Sequence, residues 1–434
     1  MKPPMSNEKR SKIIMWAFLI ALTLSQIFFL ISNMVTYGYS MHSIIPGYYE
    51  GAYLDFFKPF YSSNEFNPYK TGLTDTPLTV LIGKLLSSFT KNAIFNYDIS
   101  YMQHFAEATL VLFMAISFSA VLFAITFFSV KKGHGLLKAW FLFLIFFSTP
   151  FIYIFEQGSM VLFTVTLILL YISGYDSDSK CIRELSHIAL AIATGLSAYP
   201  IIFIILSYRK KRFGNAFRCL VYSFFIFFLP IFALGGLGRL GYYFNNIKDV
   251  ITDALSSGIA YRIDIISGLN LISLCLGKGL IKSNVIKLIL WGVILVILLV
   301  CACISKSKWR TVLALSLIAA CGPFISMQAS IAYLIIPLVM LIDSDEKRIE
   351  ADFIYTALFI IMLAPIAIKD CIVNLAGNTG SEIYIYSLLC TVSVFLMILM
   401  LCIETVAAPL SGIELSKRKR EFAKQEAAKQ EAAE

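Results

Sequence analysis

The chain has 434 residues, 58% of them hydrophobic and only 15% charged, with a mean hydropathy of +0.78. That balance excludes a string of soluble domains and describes a polytopic membrane protein built as one membrane unit. A formal charge of +9 would suit a nucleic-acid partner, but by the boundaries below 25 of the 36 Lys and Arg residues fall on one side of the membrane. This is the positive-inside signature, so both termini are expected in the cytoplasm of a multi-pass protein of the cell membrane, with membrane lipids and no nucleic acid as surroundings.

A basic N-terminal segment, residues 1–12, leads into an apolar stretch from Ile13 to Met34. It is too long for a signal-peptide core and no small-residue cleavage site follows, so it reads as a retained first span. An external loop, residues 36–105, comes next. Alternation from a cytoplasmic start then places spans near 106–130, 138–155, 159–175, 186–197, 199–208, 216–236, 284–304, 311–326, 329–342, 353–368 and 385–406. The expected fold is therefore an all-α bundle of about 12 transmembrane helices, one polytopic domain over 13–406, with short helices in the first loop. A charged cytoplasmic tail, 407–434, ends in Arg420 to Glu434, which reads as a solvated helix with i,i+4 pairing.

Residues 185–208 look like one helix by hydropathy alone, yet a single crossing there would put Arg209 to Arg212 outside. Pro200, which removes a donor and disfavours helix at Tyr199, predicts a break and a short hairpin facing a cavity, with a kinked helix as the alternative. The cysteines are scattered through spans and the four histidines are not spaced as ligands, so no disulfide framework and no metal site are expected.

The long loop is where chemistry is expected, because the other connections are short or structural. Tyr48 to Phe57 interleaves aromatics with Glu50 and Asp55, and Asn67-Pro68-Tyr69 and Asp75-Thr76-Pro77-Leu78 follow. Aromatic faces cover the apolar face of a sugar while carboxylates accept its hydroxyl protons. A loop carboxylate near apolar groups also gains basicity. Asp55, Asp75, Glu50 and Asp98 are all candidates for such a base, and each could equally be a solvated loop acid.

The order of these segments resembles the first loop of C-type glycosyltransferases that use polyprenyl-phosphate sugars, above all the branch that includes bacterial mannosyltransferases. Thr76-Pro77-Leu78 keeps one of that pattern's two prolines. Glu156-Gln157-Gly158-Ser159 is similar to the family's Gly-Gln-x-Asn turn, with Gln157 matching. Ser197-Ala198-Tyr199-Pro200 resembles its Lys-Pro-x-Pro break, with Ser197 at the lysine position. Gly268-Leu269-Asn270 is similar to an Asn-containing turn opening a late span, and Tyr333 to Pro337 to a Tyr-x-x-x-Pro helix.

The resemblance implies inverting transfer, on the external face, from a lipid-phosphate-linked sugar to a hydroxyl of a lipid or glycan acceptor. The linked sugar serves as co-substrate and no cofactor is implied. Asp55 is carried over as the base, with Tyr69, Asp75, Gln157, Tyr199, Arg262 and Asn270 as substrate-binding residues. The leaving phosphate needs a cation, and with Ser197 in place of lysine the external candidates are Arg262, Lys70, Arg239 and Lys58. Arg262 ranks first, although it could instead anchor at the interface or pair with Asp264. Two other functions stay open: a surface-polysaccharide polymerase, and a lipid-linked glycan flippase or transporter, the latter disfavoured by the scarcity of ionisable residues in the spans.

Overall fold

Apolar segments that cannot hydrogen-bond water must close their backbone bonds internally, and helix is the local way to do so. The computed structural model describes residues 7–38, 40–41, 53–256, 262–275, 283–323, 326–344, 346, 349–366, 372–374 and 382–405. In chain order the first helices are α1 (Asn7–Val35), α2 (Leu54–Ser62), α3 (Pro77–Ser87), α4 (Ala106–Val130), α5 (Gly135–Phe146), α6 (Thr149–Gln157), α7 (Val161–Gly174), α8 (Lys180–Leu196) and α9 (Ile205–Arg209). Then follow α10 (Phe213–Phe228), α11 (Pro230–Ala233), α12 (Leu240–Ser256), α13 (Ile265–Cys275), α14 (Asn284–Ile304), α15 (Lys308–Cys321), α16 (Ile335–Ile342), α17 (Glu350–Leu363) and α18 (Ile385–Thr405). Glu50 and the tail from residue 406, both singled out in the sequence, lie outside the described residues.

Helix occupies all or part of each of the twelve expected segments. Length and composition, however, qualify five as crossings: α1, α4, α10 with α11, α14 and α18. The α5–α6 pair makes a sixth if taken as one span bent by 61°. That bend falls just before Pro150, which sits in the first turn of α6 and lacks the N–H that would continue α5. The all-α expectation holds, with one short addition: Ile372–Asn374 (β1) and Glu382–Tyr384 (β2) pair antiparallel, with Val373 opposite Ile383. Both are rich in β-branched and aromatic residues.

The core is centred on α15, which is buried from Trp309 to Cys321 apart from Arg310. A helix apolar all round belongs inside, and α7, α16 and α17 pack with it into one cluster. At the basic end of the bundle, the Arg310 guanidinium donates to Asp352 of α17 at 2.7 Å and to Glu404 of α18 at 2.6 Å. Lys131, after α4, pairs with Asp343, and Arg209 donates to Thr311 and to the Ser305 carbonyl. Several of the residues that write the charge asymmetry therefore also tie helices together.

The expected break falls where Pro200 predicts it. α8 stops at Leu196, Ser197 is extended (φ −152°, ψ 122°), and a 3-10 turn, Tyr199–Ile204, resumes before α9. The carbonyls orphaned at the end of α8 are claimed by the first loop: the Thr76 hydroxyl donates to Gly195 and Leu196, and Thr79 to Leu196. From the other side the Tyr333 hydroxyl hydrogen-bonds Ser197 and Thr164.

Candidate active site

The first loop is anchored through two small cores. Phe56, Phe57 and Phe60 of α2 pack with Ile94, Met102 and the start of α4. Tyr69, Leu73 and Val80 pack with Ile231 and Leu234, at α11, and with Tyr243 of α12. These aromatics, which would also serve a sugar site, here mainly fix the loop on the bundle.

Asp55 lies in the first turn of α2, where helix N–H groups favour a negative charge. The turn after α6 holds that start in place. The Tyr53 N–H donates to the Glu156 carbonyl at 2.8 Å, and the Ser159 hydroxyl donates to the Asp55 carboxylate. Gly158 makes the approach possible, since it adopts φ +66° and a Cβ there would meet the Phe56 Cβ at 2.8 Å. Asp55 is solvent-exposed, while the neighbouring protein partly encloses its carboxyl. That enclosure raises its pKa, while Lys58 and the Ser159 hydroxyl pull it back.

Asp75 reaches the same place from the turn before α3. Thr76 is extended (φ −62°, ψ 155°), as the residue before a proline should be, and Pro77 starts the helix. Burial first, and then the charge of Asp55, push the Asp75 carboxyl up to about 7, with Lys58 opposing. Asp55 and Lys58 stand three residues apart on one face of α2, so a cation lies beside both acids. Glu156 is within electrostatic reach of Asp55, and the Gln157 amide donates to the Glu156 carboxylate at 2.5 Å.

Tyr69 is fully buried, edge-on to Tyr243 at 5.3 Å between ring centres. Among the described residues its hydroxyl has no hydrogen-bond partner, and burial, followed by the influence of Tyr243 and Asp75, raises its pKa. Tyr243 in turn is close enough to Asp75 and Tyr199 to feel their charge. Asn246 of α12 clamps the loop, its amide donating to the Tyr69 and Leu73 carbonyls at 2.8 Å each. Beside this cluster opens a polar cleft of about 640 Å³ lined by Lys58, Tyr61, Thr71, Asp75, Asn96 and Asp98, among others.

The fold gathers Asp55, Asp75, Gln157, Tyr69 and Tyr199 into one neighbourhood. Arg262 and Asn270 come from another segment. Arg262 is buried, donating to Asp264 at 2.7 Å and to the Ala254 carbonyl at 3.1 Å, so its charge is committed to a neighbour. Asn270 is half-buried on α13. Arg239 stacks on Phe66 at 5.0 Å. Lys58 is the cation placed against the acids. Tyr243 and Asn246 carried no local signal, because their partners lie about 170 residues earlier in the chain.

The site is a pair of carboxylates with a lysine and a polar cleft, carried on a bundle that includes several helices long and apolar enough to cross a membrane. The chain belongs to glycosyltransferase family 87, whose family model matches residues 94–327, more than half of it. That family is one of the C-type polyprenyl-phosphate-sugar glycosyltransferases, so the protein is a membrane glycosyltransferase. The matched region contains Glu156 to Ser159, Tyr199, Tyr243, Arg262 and Asn270, and begins after Asp55 and Asp75. No curated protein and no solved structure matches the chain.

Proposed function

We propose that this glycosyltransferase moves a sugar from a polyprenyl-phosphate donor to a hydroxyl of a lipid or glycan acceptor on the external face of the cell membrane, inverting the anomeric centre. The reading keeps both termini in the cytoplasm and about twelve crossings, and uses no cofactor or metal. The observation that carries it is Asp55: a carboxylate of raised basicity, with Lys58 and Asp75, both of which line the neighbouring polar cleft, in electrostatic reach.

In the reaction the acceptor oxygen bonds to the anomeric carbon as the bond from that carbon to the phosphate oxygen breaks. The acceptor proton passes to Asp55, and the polyprenyl phosphate leaves with one more negative charge, which Lys58 offsets. Tyr69, Tyr199, Gln157 and Asn96 shape and line the neighbourhood in which sugar hydroxyls would be held. Arg262 keeps a role only in fixing the segment before α13, through Asp264.

The test is transfer of radiolabelled sugar by purified protein from a panel of polyprenyl-phosphate donors to lipid extract, run beside Asp55→Asn. The wild type should transfer label, and Asp55→Asn should be slower by roughly 10²- to 10⁴-fold while remaining folded. Absence of transfer from every donor by folded wild type would overturn the reading, and unchanged transfer by Asp55→Asn would remove the base assignment.

A further inference from the structure

At the basic end of the bundle several cations meet their own carboxylates: Arg310 meets Asp352 and Glu404, Lys131 meets Asp343, and Arg218 meets Glu184. One patch departs from that pattern. It gathers three segments around the buried ring of Tyr175: Asp176 after α7, Arg209 to Arg212 at the end of α9, and Lys308 at the start of α15. The Lys210 ammonium meets the Asp176 carboxylate at 2.8 Å, and the Arg212 guanidinium meets it at 3.2 Å. Lys308 lies 5.4 Å from the centre of the Tyr175 ring, within electrostatic reach of Asp176 and Lys210.

The patch is left positive. Arg209, also in reach of Tyr175, donates to the neutral Thr311 hydroxyl and Ser305 carbonyl, which do not cancel its charge. Glu346 accepts from the Lys308 N–H at 3.1 Å, so within these contacts four cations face two carboxylates. The Arg212 Nη1 is buried with no hydrogen-bond partner among the described residues, and Lys210 and Lys308 are exposed. Each ammonium has three donors and the guanidinium five, so an anion can be held without breaking the Asp176 pairs.

An apolar face borders these cations. Tyr208 and Phe213, both more than half exposed, flank the Arg209–Arg212 turn and meet edge-on at 5.0 Å. From Phe213 an exposed stripe runs along α10 through Phe217, Leu220 and Phe224, at i, i+4, i+7 and i+11. Phe213–Ala233 is long and apolar enough to cross a membrane, so the cations stand where a crossing helix leaves the hydrocarbon, with aromatics at the boundary. We infer that Lys210, Arg212 and Lys308 bind the phosphate of an anionic phospholipid whose acyl chains lie along the Phe213–Phe224 stripe. A soluble anion would meet the cations and leave the stripe without a role, whereas a lipid matches both. Bound there, it ties α9 and α10 to the start of the core helix α15.

The experiment titrates phosphatidylglycerol or phosphatidylcholine into full-length protein in a neutral detergent and follows the unfolding temperature. Phosphatidylglycerol should raise it and phosphatidylcholine should not. Lys210→Gln/Lys308→Gln should weaken the apparent affinity for phosphatidylglycerol by roughly 25-fold, about fivefold per cation, and Lys210→Arg/Lys308→Arg should bind like wild type. Lys84→Gln/Lys248→Gln, which removes two exposed lysines elsewhere, should also leave binding unchanged. Equal response to both lipids, a glutamine pair at 210 and 308 that binds like wild type, or an equal loss in Lys84→Gln/Lys248→Gln would each overturn the inference. So would inorganic phosphate acting as strongly as phosphatidylglycerol, which would make the ligand a soluble anion. Sugar transfer is not read in this experiment and the patch includes no residue of the candidate active site, so the inference and the transferase reading stand or fall separately.

Discussion

Asp75 stands close enough to Asp55 that the charge of Asp55, added to burial, keeps a proton on Asp75 up to about pH 7. Asp55 also has a raised pKa, opposed by Lys58 and the Ser159 hydroxyl, and in the proposed reaction it is the member of the pair that ionises first. Near neutrality the pair thus holds one base and one acid, and its protons leave in two steps that belong to the pair.

The activity should therefore be bell-shaped in pH. As pH rises, kcat/KM grows while Asp55 loses its proton. Near pH 7 Asp75 ionises too, and a second negative charge then repels the anionic donor phosphate. In Asp75→Asn the acidic limb should remain and the decline near pH 7 should vanish. A pH profile of both proteins checks this, and an alkaline limb that survives in Asp75→Asn would show that another group causes it.

The same shift has a consequence for stability with a definite sign. A carboxyl whose folded-state pKa is raised binds more protons folded than unfolded, so stability falls as pH climbs from about 4 toward about 7 and stays lower above it. Asp75→Asn should unfold at the same temperature as wild type below pH 4 and at a higher temperature at pH 8. Thermal unfolding followed by tryptophan fluorescence in detergent measures the difference. A variant less stable than wild type at pH 8 would mean that ionised Asp75 gains more from Lys58 than burial takes away.

Gly158→Ala tests how tightly the catalytic turn is fitted. Its φ of +66° is strained for alanine, and the added Cβ would meet the Phe56 Cβ at 2.8 Å and the Leu112 Cδ1 at 3.0 Å. The left-handed backbone alone costs about 1–2 kcal/mol. Because the clash pushes on the residue next to Asp55, transfer should fall by roughly a hundredfold with KM changing little. Activity and melting temperature measured together separate misplacement from unfolding.

Much of this arrangement could be read along the chain because it is local. Spans show as apolar runs, the α8 break as Pro200, and the two acids as polar residues flanking Pro77 and a Tyr-rich run. What could not be read depends on distant partners. Nothing near Gly158 reports that Phe56 will lie against it, and nothing near Asn246 reports the Tyr69–Leu73 turn. For Arg262 the sequence left two readings open, a phosphate ligand or a partner of Asp264, and the fold pairs it with Asp264 at 2.7 Å. The number of crossings is less legible, since α7, α15 and α16 are short helices packed inside the bundle and hydropathy sees their apolarity without their length.

The junction between the first loop and the α8 break supplies the last expectation. The carbonyls of Gly195 and Leu196 have no helical donors beyond Ser197, and they are buried; Thr76 at 2.5 Å and 3.2 Å, and Thr79 at 3.2 Å, supply the hydroxyls they need. Valine at both positions keeps the shape and removes the donors, leaving buried carbonyls unpaired at roughly 1–3 kcal/mol. Thr76→Val/Thr79→Val should lower the melting temperature and weaken transfer together, because Asp75 and Tyr199 are held from opposite sides of this junction. Thr76→Ser, which keeps the hydroxyl, should restore most of both. If the double valine variant melts like wild type, water must reach these carbonyls, and the break would be a wet hinge rather than a dry seam.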